Sequence, residues 1–156
     1  MVTDINLTMR KDNTMQDDYI IKVVSRQTVE GEVENFEITT LASFEGTPDD
    51  YIISYTDEDE EQRTCKTSLH VENGRYITIR RDGECGSHII LEKEKRHISH
   101  HETPFGSFSM GVCAGDIRST IKDSGGKLFF RYSTDVDMQP MCDIEFDITL
   151  SPRKRG

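Results

Sequence analysis

Cys65-Lys66-Thr67-Ser68-Leu69-His70-Val71-Glu72-Asn73-Gly74-Arg75-Tyr76-Ile77-Thr78-Ile79-Arg80-Arg81-Asp82-Gly83 decides the fold. Cys65, Thr67, Leu69 and Val71 alternate with Lys66, Ser68, His70 and Glu72, the period of a half-buried strand. Asn73-Gly74 then supplies two residues that tolerate positive φ, and residues 76–81 resume as a strand. Asn-Gly between two such runs is a strong hairpin signal.

The pattern extends in both directions. Residues 19–28 are rich in Ile and Val; Phe36, Ile38, Thr40, Ala42 and Phe44 alternate with polar neighbours; Tyr51, Ile53 and Tyr55 do the same before the acidic run 57–61. Downstream, residues 89–93, 97–103 and 105–114 read as strands, and Leu128, Phe130 and Tyr132 alternate after the turn Ser124-Gly125-Gly126. Ile144, Phe146, Ile148 and Leu150 give the cleanest alternation. Residues 116–122 fit either a helical turn or a short strand. No segment carries a sustained helical stripe. Short strands at even spacing, joined in sequence by tight turns, predict an all-β, closed, antiparallel and largely up-and-down β-barrel of about eight to ten strands. Closure removes edges that invite aggregation. One domain over residues 18–151 is expected, with an N-terminal extension over 1–17 and a basic tail over 152–156.

The 156-residue chain has a formal net charge of -10. Nucleic-acid affinity comes largely from Lys and Arg on phosphates, so no nucleic-acid partner is expected. No apolar run long enough to cross a bilayer is present, and the first residues lack a secretory pattern, so neither a membrane partner nor export is expected. A cytoplasmic location and reduced thiols at Cys65, Cys85, Cys113 and Cys142 follow as expectations.

Several pieces in order, Ile53-Ser54-Tyr55, Lys66-Thr67-Ser68-Leu69, Ile79-Arg80-Arg81-Asp82-Gly83, Thr103-Pro104-Phe105-Gly106 and Gly125-Gly126-Lys127-Leu128-Phe129-Phe130-Arg131-Tyr132, make residues 19–150 resemble the YwiB-like family of small bacterial β-barrel proteins, whose function is uncharacterised. The resemblance implies a calycin-like barrel, the lipocalin architecture, and carries no activity or catalytic residue. His101 stands where the family pattern has an aromatic residue, two positions before the Thr-Pro pair.

Candidate chemistry is sparse. His88, His97, His100 and His101 crowd near Cys85, but strand alternation sends His97 and His101 to one side and His100 to the other. Solvent-facing histidines are the expectation, with no metal. The run 57–61 lacks the glycine of a calcium loop and reads as a solvated hairpin tip. Gly111-Val112-Cys113-Ala114-Gly115 leads into no phosphate-cradling helix, so no cofactor is expected. Cys113 reads as a small core residue rather than a nucleophile.

Arg80 and Arg81 face opposite ways, and an inward arginine needs either an anionic ligand group or a neighbouring carboxylate. Arg81, Tyr55, Phe130, Tyr132 and His101 are the candidate ligand-binding residues. Phe36, Phe44 and Phe146 join the aromatic inward set, which can line a pocket or fill it. The leading expectation is a barrel that binds a small molecule of unknown identity. The alternative is a non-catalytic interaction protein or homodimer acting through outward residues such as Phe129 and Leu41. A third is acid–base chemistry by His100 or His101 with Glu102. No catalytic residue is assigned.

Overall fold

The computed structural model describes residues 18–58, 62, 64–83, 87–103 and 106–153, with the backbone alone at residues 83, 87 and 101–103. The expected N-terminal extension and most of the basic tail lie outside them.

Ten strands follow in chain order: β1 (Tyr19–Val29), β2 (Glu32–Thr47), β3 (Asp50–Glu58), β4 (Thr64–Glu72), β5 (Tyr76–Gly83), β6 (Ser87–Glu92), β7 (Arg96–Thr103), β8 (Gly106–Ser119), β9 (Gly126–Val136) and β10 (Gln139–Pro152). They form one sheet in the order β6-β5-β4-β3-β2-β1-β10-β9-β8-β7, and every ladder is antiparallel. Two meanders, β1–β6 and β7–β10, are therefore joined by β1 against β10. The sheet curls until β6 meets β7 and β8, where a ladder gives way to single contacts such as Glu94 N donating to Ala114 O at 2.9 Å. The barrel is nearly closed, with one seam. Glu92 bridges that seam: its carboxylate lies 2.9 Å from His97 Nε2 and 3.7 Å from Arg75 Nη2. The His97 hydrogen bond leads the effects that hold the Glu92 pKa below its ordinary value.

Local sequence explains the turns. Glu30-Gly31 and Asn73-Gly74 both sit at positive φ, as tight hairpins with the right-handed strand twist require. Gly126 must be glycine, because a Cβ there would press into the Thr120 carbonyl. Residues 116–122, ambiguous between helix and strand, complete β8 as far as Ser119 and then lead into the turn closed by the Lys122–Gly125 bridge. The ladder shifts between Ala114 and Asp116, so an extra residue breaks the period of two and spaces inward Val112, Ala114 and Ile117 unevenly.

Inward residues make one core. Ile21, Ile53, Ile77, Leu91, Leu128, Phe130 and Ile148 have no exposure, and each such side chain contributes about 1.5–3 kcal/mol when fully buried. At one end of the core the Phe44 ring lies between those of Tyr19 and Tyr51, 5.6 Å from each by centroid. There the Tyr51 hydroxyl pairs with Ser119 Oγ at 2.6 Å, and the Tyr19 hydroxyl donates to the Asp123 carbonyl at 2.7 Å. We call this the closed end. The opposite end, formed by the last residues of β1, β3 and β5 and the first of β2, β4 and β10, is open.

One expectation is corrected. Cys65 is disulfide-bonded, while Cys113 and Cys142 are free. Sequence spacing put the cysteines far apart, but pairing of β4 with β5 sets the fully buried Cys65 opposite Gly83, so distant stretches become neighbours. The bonded partner lies outside the described residues.

Candidate functional site

Strand parity builds the site. Tyr51, Ile53, Tyr55 and Asp57 on β3 share the inward face with Cys65, Thr67, Leu69 and Val71 on β4, and with Ile77, Ile79 and Arg81 on β5. Toward the closed end these positions are apolar. Toward the open end they turn polar, with Tyr55 opposite Thr67 and Thr67 opposite Arg81.

Just inside the open end lies a cavity of about 180 Å³. Its apolar wall includes Val23, Ile38, Leu69, Ile79, Phe130 and Phe146. Its polar lining is Ser25, Tyr55, Asp57, Thr67 and Arg81, the last four forming a cap. Phe36 borders both the cavity and the mouth outside it, and 53% of Phe36 is exposed. Gln27, Glu34, Asn35 and Glu58 line that mouth together with Ser25, Asp57 and Arg81.

Arg81 directs Nη2 at both oxygens of Asp57, at 3.2 and 3.3 Å. The Asp57 side chain is only 10% exposed. Asp57 is thus a nearly buried ion-pair member rather than part of a solvated tip, which corrects the reading of that residue in the acidic run. Two buried polar atoms at the cap have no hydrogen-bond partner: Arg81 Nε and Thr67 Oγ1. Burial, followed by the Asp57 charge, pushes the Tyr55 phenol up to about 12. Thr67 lies close enough to oppose that rise, though outside hydrogen-bond geometry.

Of the five candidates, Arg81, Tyr55 and Phe130 meet at the cavity. Tyr132 stacks with Phe130 and Phe146 at centroid distances of 6.3 and 6.4 Å and does not line it. Burial raises its phenol pKa strongly. The His101 side chain lies outside the described residues, as do that of Glu102 and Cys85. Arg80 faces away, paired with Asp82 at 3.1 Å. Asp57 and Thr67 were missed, although each shares inward parity with named strand neighbours.

The described histidines do not converge. His88 is exposed on β6 opposite Arg80, His97 belongs to the seam, and His100 bonds Ser109 at 2.8 Å on an exposed surface. The other histidine, His70, lies on the outer wall, 2.7 Å from Asp50 and 3.8 Å from Glu72. Those three could offer ligand atoms to a cation, but solvent already serves such exposed groups. No helix among the described residues is long and apolar enough to cross a membrane.

Fold and cavity together define a class: a single-sheet, up-and-down antiparallel β-barrel with a small pocket inside one end. The chain matches, over residues 21–148, the family described as "Domain of unknown function (DUF1934)", and it belongs to that family. The crystal structure of the ywiB protein from Bacillus subtilis is similar in fold, with a TM-score of 0.75, at 18% identity over 87% of this chain and 92% of that one. No curated protein matches the chain.

Proposed function

We propose that the protein binds one small, mainly apolar molecule inside the open end of its barrel. The observation that carries this reading is a largely apolar cavity lined by Thr67 and Arg81, whose Oγ1 and Nε atoms are buried without a hydrogen-bond partner. Interiors normally fill voids and pair buried polar atoms. A concave apolar wall with a few convergent polar groups is the usual form of a small-molecule site. Apolar cavities of roughly 150 Å³ hold benzene, so about 180 Å³ accommodates a body of that size with a small head group.

The outer-wall reading draws less support. Leu41 has one exposed apolar neighbour across the ladder, Ile20, while Phe129 lies beneath the Arg118 guanidinium at 4.6 Å. A patch of two side chains falls well short of a protein interface.

Benzene is the probe for the cavity alone. A titration followed by methyl NMR is expected to give saturable shifts at Val23, Leu69, Ile79 and Ile148, and none at Ile77 or Leu91 near the closed end. Absence of saturable shifts at the cavity methyls would end the interior-ligand reading.

A further inference from the structure

We infer that the molecule held at the open end is uncharged and presents a carbonyl-type acceptor to Arg81 Nε and Thr67 Oγ1. This rests on the interior-ligand reading above and narrows its chemistry. Arginine stays protonated in proteins and all its nitrogens donate. Arg81 Nε–H, buried and unpaired, therefore calls for an acceptor. Thr67 is 3% exposed and its hydroxyl can donate or accept, so it suits either half of an amide or a lone carbonyl.

The charge at the cap is already balanced. Arg81 Nη2 holds both oxygens of the nearly buried Asp57, which leaves Nε as a donor without an unmatched positive charge behind it. Glu34 and Glu58 at the mouth add negative charge outside. A carboxylate seated on Nε would be a second anion on one cation. Removing an ion from water costs several kcal/mol, and only an unmatched opposite charge offsets that well. A neutral acceptor receives a hydrogen bond from a charged donor, worth roughly 1.5–3 kcal/mol, without the ionic desolvation. A cationic head group fails differently, because Nε cannot accept and the guanidinium repels it. Water is the rival occupant of this seat, and burial of the ligand's apolar body supplies the drive to displace it.

Benzamide and benzoate share a shape and differ by one charge, and benzene reports on the cavity without a head group. Titrated at pH 7 against the full chain, with the same methyl signals as readout, benzamide is expected to bind at least about tenfold tighter than benzoate, a gap of about 1.4 kcal/mol. Asp57→Asn removes the competing anion and is expected to narrow that gap. Thr67→Val is expected to weaken benzamide by about two- to tenfold, the range of one hydrogen bond, and to leave benzene unchanged. Benzoate binding as tightly as benzamide, or benzamide no tighter than benzene, overturns the neutral-acceptor seat while the cavity reading stands. If benzene, benzamide and benzoate all leave the cavity methyls unmoved, the interior-ligand reading falls and takes this inference with it.

Discussion

The two ends of the barrel use the same strands and the same parity, yet they treat polar groups oppositely. At the closed end the Tyr51 and Tyr19 hydroxyls each have a partner under 3 Å, and three rings pack with their strands. At the open end Thr67 Oγ1 and Arg81 Nε are buried without one, beside a cavity. A buried donor or acceptor left unmade costs about 1–3 kcal/mol. A fold that meets this requirement at one end and not at the other separates scaffold from site. Residues of the closed end should therefore control stability, and residues of the open-end cap should control binding with little effect on stability.

Phe130 tests the boundary, because it is fully buried and also lines the cavity. Phe130→Ala removes a ring stacked on Phe146 at 5.0 Å, and it is expected to lower unfolding free energy by about 3–5 kcal/mol in urea titrations. A loss below about 1 kcal/mol would place Phe130 with the loosely packed end and blur the division. Alkaline pH tests Tyr55 next. Its folded pKa is raised to about 12 against an ordinary 10.0, chiefly by burial. The unfolded chain therefore ionises first. This contribution is fully present below pH 10 and is lost as pH rises from about 10 to about 12, by up to about 3 kcal/mol at 1.36 kcal/mol per unit. Thermal denaturation of the wild type against Tyr55→Phe should show the variant losing less stability across that window. Equal losses in both proteins would show that the phenol at the cap is not buried as described.

How much of this was legible in the sequence follows from what strand parity can and cannot carry. Asn73-Gly74, the alternation of residues 65–71 and the run Ile144, Phe146, Ile148 and Leu150 fixed strands and faces because a period of two has only one register with an apolar face. Parity also turned Arg81, Tyr55 and Phe130 inward. It stopped short at three places. The bulge at Gly115 added one residue and disguised the end of β8. Asp137 and Met138 turn β9 into β10 with both φ values positive and no glycine, so no turn rule marks them. The seam between β6 and β7 depends on curvature summed over the whole sheet, which no local pattern encodes. The site was half legible for a different reason. Asp57 has the inward parity of Tyr55, but its place in an acidic run masked that signal. Only cross-strand geometry shows that its partner is Arg81 and that Arg81 Nε is left over.

The smallest effects give the sharpest version of the comparison. Tyr51→Phe at the closed end deletes one half of a 2.6 Å hydrogen bond and leaves Ser119 Oγ only the Ile121 N–H, which donates to it at 3.3 Å. It is expected to cost about 1–2 kcal/mol of unfolding free energy. Thr67→Val at the open end removes a hydroxyl that has no hydrogen bond to lose and puts a methyl in its place. Replacing an unpaired buried polar atom by an apolar group of the same shape is nearly neutral or stabilising, so the change should lie within about 0.5 kcal/mol of zero or raise stability. Both substitutions keep volume and strand propensity, both sit on the inward face, and the contrast isolates hydrogen-bond satisfaction. If Thr67→Val destabilises as much as Tyr51→Phe, then Thr67 Oγ1 is structurally satisfied in solution, most simply by its neighbour Tyr55, and the open end is scaffold of the same kind as the closed one. If Thr67→Val is neutral while benzamide binding weakens, the hydroxyl is retained at a stability cost that only a bound molecule offsets.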